Sequence, residues 1–237
     1  MSITAAKASL DQVSALVRGV QLPLEAIDQD HLEIVVAGLA DAFEDARAAA
    51  PVIVATGNEA AVTALIESHL NRRIDEDPIW RSLVARVGRG TESINYDGTK
   101  IEKRPDLSIS FTARSRRFPL IVEAKIIDLK SSKTAKLYCE NGVHRFQIGD
   151  YAWGCREAVM LAYVRDGSNI AATLTPQITR ANGSGLAEFG TTTGLTVLQF
   201  TTKELASSEH DRSFLYPSQR PPRDKPGPIS LWHVWLR

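Results

Sequence analysis

Apolar residues recur every three or four positions through the first part of the chain, and the period then shortens. Residues 3–18 and 30–49 carry the helical spacing, with Asp28 or Asp30 placed to cap the second stretch and Pro51 to end it. In TGNEAAVTALIESHLNRRI, Val62, Leu65, Ile66 and Leu70 fall on one face and Thr56 or Asn58 can cap, which predicts an amphipathic helix over 58–73. SLVARVG (82–88), DLSISFT (106–112) and LIVEAKII (120–127) alternate or run apolar in strand-like lengths. Turns at 96–98 and 116–119 punctuate them. A helix is expected over 142–155, a buried strand over 158–164, and a helix interrupted by Pro176 over 168–182. Late strands are expected at 195–201 and 229–237, separated by the proline-rich loop SQRPPRDKPGP.

From residue 58 to 164 the order is therefore helix, three strands, helix, strand. A strand–helix–strand crossover requires parallel pairing, so the fold class is α/β, with helices packed on a mixed sheet. The acidic residues 1–50 read as a helical N-terminal extension, and 51–237 as one domain with a C-terminal strand extension.

LIVEAKII holds two charges inside an apolar strand. Side chains alternate across a strand, so Glu123 and Lys125 share a face while Ala124 points away. A carboxylate and an ammonium in such surroundings are costly unless paired or bound to a metal. If residues 106–112 and 119–126 form a hairpin, Asp106 returns to the level of Glu123 and Lys125. Two carboxylates side by side repel, and a divalent cation neutralises them. Oxygen donors without His or Cys favour Mg²⁺ or Mn²⁺ over zinc.

Pro105-Asp106, then sixteen intervening residues, then Glu123-Ala124-Lys125 resembles the motif of the PD-(D/E)xK nuclease superfamily. The resemblance implies a restriction-endonuclease-like core of helix, three strands, helix and strand, and it covers the middle of the chain. It implies that Asp106 and Glu123 hold the metal and that Lys125 positions or activates water. Members often add a Glu from the first core helix. Glu59 and Glu67 are the candidates here, and Glu59 is preferred because it lies at the helix start among small residues. Gln147 and Tyr151, spaced four apart after the EAK strand, resemble the QxxxY element of the recombination-exonuclease branch, where such residues orient substrate or site. The implied activity is metal-dependent hydrolysis of phosphodiester bonds, with DNA as the expected substrate. By analogy the setting is a bacterial restriction or phage-defence system. The alternative is a subunit of the same fold that binds nucleic acid or a partner without cutting.

Net charge is zero, but its distribution is uneven. Residues 1–70 carry 3 Lys and Arg against 10 Asp and Glu, whereas residues 71–136 carry 15 against 9, so the basic excess falls on the segment with the motif. Arg72, Arg73, Arg114, Arg116 and Arg117 are candidates to hold a nucleic-acid backbone, with His144 and Arg145 near the site as further phosphate contacts. His210 and Arg212 reach the phosphate or lie on a surface turn. The acidic helices of 1–50 are candidate docking surfaces for a second copy or a larger defence complex. Cys139 and Cys155 form no CxxC pair and are too few for a disulfide scaffold or a zinc site. The N-terminus lacks a basic start followed by an apolar run, and the most apolar region is broken by Pro51, Gly57, Asn58 and Glu59. A cytoplasmic protein with no membrane partner is expected.

Overall fold

The computed structural model describes residues 11–90, 92–100, 103–198, 203–217 and 221–237. Residues 3–10 of the first expected helix, 199–201 of an expected late strand and 218–220 of the proline-rich loop lie outside these.

Asp28 accepts the Asp30 amide and opens helix α1 (Gln29–Ala49), which buries Leu32, Val35, Val36, Leu39 and Phe43. Pro51 does more than end this helix. It sits in the first turn of α2 (Pro51–Thr56), where its fixed φ suits a helix start and its missing N–H costs nothing. Asn58 caps α3 (Glu59–Glu76), accepting the Ala61 amide at 2.8 Å. Asp77 then caps a short helix α4 (Pro78–Leu83), so the first strand begins later than its apolar run suggests.

Seven strands form one sheet in the order β1-β2-β3-β4-β7-β6-β5. They are β1 (Val84–Arg89), β2 (Leu107–Phe111), β3 (Leu120–Ile127), β4 (Glu157–Val164), β5 (Thr191–Val197), β6 (Glu204–His210) and β7 (Ile229–Leu236). β3 and β4 are parallel, as the crossover requires, and β7 adds in parallel beside β4. The remaining pairs are antiparallel. α3, the three strands, the crossover helices and β4 form the restriction-endonuclease-like arrangement, with helices preceding it and further strands following it. Among the described residues no helix is long and apolar enough to cross a membrane.

One sheet face carries Leu107, Ile109, Val122, Ala124, Ile126, Val159, Leu161 and Tyr163 against α1 and α3. The other carries Ile121, Ile127, Met160, Leu231 and Trp235 against the crossover helices and the C-terminal loops. α1 therefore shares a core with the sheet.

The crossover helix is displaced from the expected 142–155. Helical structure runs through α5 (Ala135–Tyr138), a π turn (Cys139–Val143) and α6 (His144–Gln147). Thr134 caps it early, accepting the Leu137 amide at 3.3 Å. Gly142 lies inside the π turn because the Met160 side chain packs where its Cβ would stand, with Met160 Cε 2.3 Å from that position. Gly149, at a φ of 75°, carries the chain out of the helix before Tyr151. The expected helix over 168–182 is likewise shorter: a π turn (Ile170–Leu174) and α7 (Thr175–Ile178), whose first turn takes Pro176 without interruption. β6 was hidden in sequence because the inward positions Ser208 and His210 are polar, yet both are buried.

Candidate active site

The site forms where β2 and β3 separate. Leu107 pairs with Val122 at the end of their ladder, but β3 continues to Ile127. The amides of Ala124 and Ile126 lie beyond that ladder, and carboxylates take the place of a neighbouring strand. Asp106 Oδ2 accepts the Ala124 amide at 2.7 Å, and Glu59 Oε2 accepts the Ile126 amide at 3.0 Å. Asp106 thus arrives through the hairpin, and Glu59 through the first turn of α3.

Lys125 occupies the point where these groups converge. Its Nζ lies 2.7 Å from Glu123 Oε1, 3.4 Å from Glu59 Oε1 and 3.8 Å from Asp106 Oδ2, and it donates to the Ala124 carbonyl at 2.7 Å. Glu123 is only 1% exposed, and its Oε2 is buried without a hydrogen-bond partner among the described residues. Burial pushes the Glu123 carboxyl up to about 7, and the charge of Asp106 adds to this while Lys125 and Arg145 oppose it. Burial also raises Asp106. Burial works against the Lys125 ammonium, but Glu123, Glu59 and Asp106 together outweigh it and hold its pKa above the ordinary value. Lys125 is therefore a cation at neutral pH.

Arg145 closes the other side of Glu123. Its guanidinium donates to Glu123 Oε1 at 3.1 Å and to the Tyr151 hydroxyl at 2.9 Å, and that hydroxyl donates to the Arg104 carbonyl at 3.1 Å. Tyr151 reaches the site through the turn after the helix, not by sharing a helical face with Gln147. Gln147 stands outside this network: its Oε1 lies 3.0 Å from His144 Nδ1.

Glu67, the other helix candidate, faces β1, where it accepts the Arg89 amide at 3.1 Å. His210 is buried in β6, and Arg212 donates to the carbonyls of Gly227 and Cys155, so neither joins the cluster. Arg72 and Arg73 are paired with Asp45 and Asp41 of α1. Arg114 donates to the Glu25 and Ala26 carbonyls, and Arg117 to those of Leu16 and Arg18. Of the five basic candidates, Arg116 has no ion pair or hydrogen bond among the described residues.

The two strand amides held by carboxylates were missed in the sequence. The sequence carried no signal for them, because its two runs, 106–112 and 120–127, are nearly equal in length, whereas β2 forms over 5 residues and β3 over 8. The tie from Arg145 to Glu123 was missed as well, because Arg145 was read as a phosphate contact. Its place on the helix following the EAK strand was the available clue.

The chemistry of the donors suits a hard divalent cation: carboxylate oxygens only, one of them buried and unpartnered. Among the described residues, however, no group of three or more His, Cys, Asp and Glu side chains is arranged to hold a metal ion. The ammonium of Lys125 stands among the three carboxylates. No protein family, characterised protein or solved structure matches the chain.

Proposed function

We propose that the chain is a metal-dependent nuclease of the PD-(D/E)xK type that hydrolyses phosphodiester bonds in DNA. The observation that carries this reading is the meeting of Glu59, Asp106 and Glu123, from three separate elements, around Lys125. The buried, unpartnered oxygen of Glu123 supports it further, because such an atom is costly without a ligand. Asp106 and Glu123 would hold Mg²⁺ or Mn²⁺, which when bound offsets charge developing on phosphorus and on the leaving 3′-oxygen.

The chain's own groups have distinct tasks. Lys125, as a cation, orients the attacking water and stabilises negative charge in the transition state. Glu59 fixes Lys125 and the Ile126 amide together. Arg145 holds Glu123 in place, and Tyr151 ties Arg145 to the backbone before Pro105-Asp106. A bacterial restriction or phage-defence role fits a nuclease of this type by analogy of fold.

Incubation with DNA and Mg²⁺ tests the reading. Cleavage is expected from the wild type and is lost with chelator or with Lys125→Ala. Cleavage that survives both changes sinks the proposal. A second reading is a non-cutting subunit that binds nucleic acid or a partner. It is favoured by the absence, among the described residues, of a metal-holding group of three or more such side chains. Under that reading DNA is retained in Ca²⁺ and stays intact in Mg²⁺ or Mn²⁺.

A further inference from the structure

A cavity of about 280 Å³ opens beside the carboxylate–lysine cluster, on the sheet face shared by Ile121 and Ser108. Three chain segments link its wall to the cluster. Ile121 precedes Glu123 by two residues on β3, so both project from one face, about 7 Å apart. Pro105 lines the cavity and is followed by Asp106. Trp153 lines it two residues after Tyr151, whose hydroxyl is bonded within the cluster.

The wall is aromatic and fixed. The rings of Phe118 and Trp153 stand edge to face, with centroids 5.2 Å apart. The indole nitrogen of Trp153 donates to the Ile94 carbonyl at 2.7 Å, which holds the ring in place. Arg116 and Arg117 lie on the lining, and both are exposed. Arg117 is committed to backbone carbonyls, whereas Arg116 has no ion pair or hydrogen bond among the described residues. An apolar recess with Arg116 and Arg117 on its lining, and with the one lining carboxylate, Glu92, paired to Arg104, matches one ligand chemistry in particular beside the proposed phosphodiester site. A base fits such a recess, with the phosphates of its strand directed to Arg116 and towards Lys125. The volume falls just below the range of about 300–1,000 Å³ typical of whole small-molecule ligands, which suits a single base.

We propose that this cavity seats one unstacked nucleobase of the strand held at the site. The inference rests on the nuclease reading and narrows its substrate class to single-stranded or frayed DNA. Extruding a base from a duplex has an unpairing cost that a single strand avoids. Stacking on aromatic walls accepts any base, because every base has a π face.

The test uses the full chain in Ca²⁺ and measures fluorescence anisotropy with two labelled single-stranded 12-mers of equal charge. One bears all its bases, and the other has consecutive abasic residues at its centre. Wild type is expected to bind the abasic strand about tenfold or more weakly, the scale of base–aromatic stacking. Ile94→Trp fills the cavity from its wall and is expected to bind both strands alike. Arg116→Ala is expected to weaken both strands while keeping the preference for bases. Thermal unfolding of each variant confirms that it is folded. Equal binding of both strands by wild type overturns the base seat, as does a preference that survives Ile94→Trp. A separate cleavage assay with Mg²⁺ keeps the two readings apart. Cleavage with equal binding leaves the nuclease standing and removes the base seat. Base preference without cleavage does the reverse.

Discussion

The C-terminal half of the sheet contains a buried chain of polar groups with a definite acid sensitivity. His210 Nε2 and His233 Nε2 each lie 2.7 Å from the Ser208 hydroxyl, and His233 Nδ1 lies 2.9 Å from the Tyr138 hydroxyl. His210 Nδ1 donates to the Phe189 carbonyl at 3.0 Å. With that proton placed, Ser208 donates to His210 and His233 donates to Ser208; His233 is then neutral when the Tyr138 hydroxyl, which also lies 3.1 Å from the Met160 carbonyl, donates to His233 Nδ1. Burial depresses His210 to about 4, against the Phe189 hydrogen bond, and burial together with the neighbouring His210 depresses His233 to about 3. A histidine whose folded pKa lies below its unfolded value contributes stability above the unfolded pKa. That stability is lost as pH falls below about 6.5 towards the folded value, because only the unfolded chain takes up the proton. Each histidine costs ~1.4 kcal/mol per pH unit in this window, or ~2 kcal/mol between pH 6.5 and 5.

Other groups titrate over the same range. Glu123, with its raised pKa, works in the opposite direction, so the wild-type curve alone mixes several effects. The informative quantity is the stability gap between wild type and His233→Gln, whose side chain does not titrate. Groups common to both proteins cancel. Urea unfolding followed by tryptophan fluorescence at pH 7, 6 and 5 is expected to show that gap narrowing by ~2 kcal/mol as the wild type alone loses the His233 contribution. A gap independent of pH would refute the claim that His233 is buried neutral. A gap that widens on acidification would show instead that the polar chain captures a proton.

Three further outcomes follow from particular contacts. Asp106→Asn keeps a carbonyl oxygen for the Ala124 amide but removes one of the three clustered carboxylates; it is expected to abolish DNA cleavage while leaving urea stability within about 1 kcal/mol of wild type, which parallel activity and unfolding measurements check. Tyr151→Phe removes the hydroxyl that joins Arg145 to the Arg104 carbonyl; a stability loss of about 1 kcal/mol and slower cleavage at saturating DNA are expected, and unchanged kcat would show that Arg145 needs no such support. Gly38→Ala places a Cβ 2.5 Å from Trp80 Cζ3, and the indole is pinned because its nitrogen donates to the Leu70 carbonyl at 3.1 Å; overpacking of about 1–3 kcal/mol should exceed the gain of about 1 kcal/mol from helix propensity, lowering the urea midpoint.

The fold was legible where burial and periodicity agree. Val62, Ile66 and Leu70 mark one face of α3, and that face is buried. LIVEAKII begins and ends where the apolar run does. Legibility failed where a polar or small residue meets a specific neighbour. β6 could not be read from ELASSEH because Ser208 and His210 face inward, where bonds to each other, to His233 and to the Phe189 carbonyl satisfy them. The crossover helix was misplaced because Gly142 looks like a boundary, when its role is to accommodate Met160. Tyr151 was set on a helical face with Gln147, whereas Gly149 ends that regularity and the turn brings the tyrosine to Arg145. The cluster of Asp106, Glu123 and Lys125 was readable because strand alternation and hairpin return are set by the backbone alone. The preference for Glu59 over Glu67 rests in sequence on its place at the helix start, and the packing of α3 sets Glu67 against β1 while Glu59 reaches the Ile126 amide.

The same carboxylates that carry the proposed chemistry also terminate a β-ladder. β3 outruns β2, and amides exposed in this way ordinarily need water or another strand. Asp106 and Glu59 supply acceptors instead, so each is held by a backbone bond before any substrate arrives. That bond fixes the carboxylate direction at little conformational cost, which is the preorganisation an electrostatic site requires. Glu123 differs from both. It accepts from Lys125 and Arg145 through Oε1 and leaves Oε2 buried with no hydrogen-bond partner among the described residues. A purely structural cluster accounts for the first two carboxylates, and for that oxygen only when Glu123 is protonated, as its raised pKa permits, and donates to Asp106. Glu123 is therefore the residue on which the structural and catalytic accounts of the site diverge.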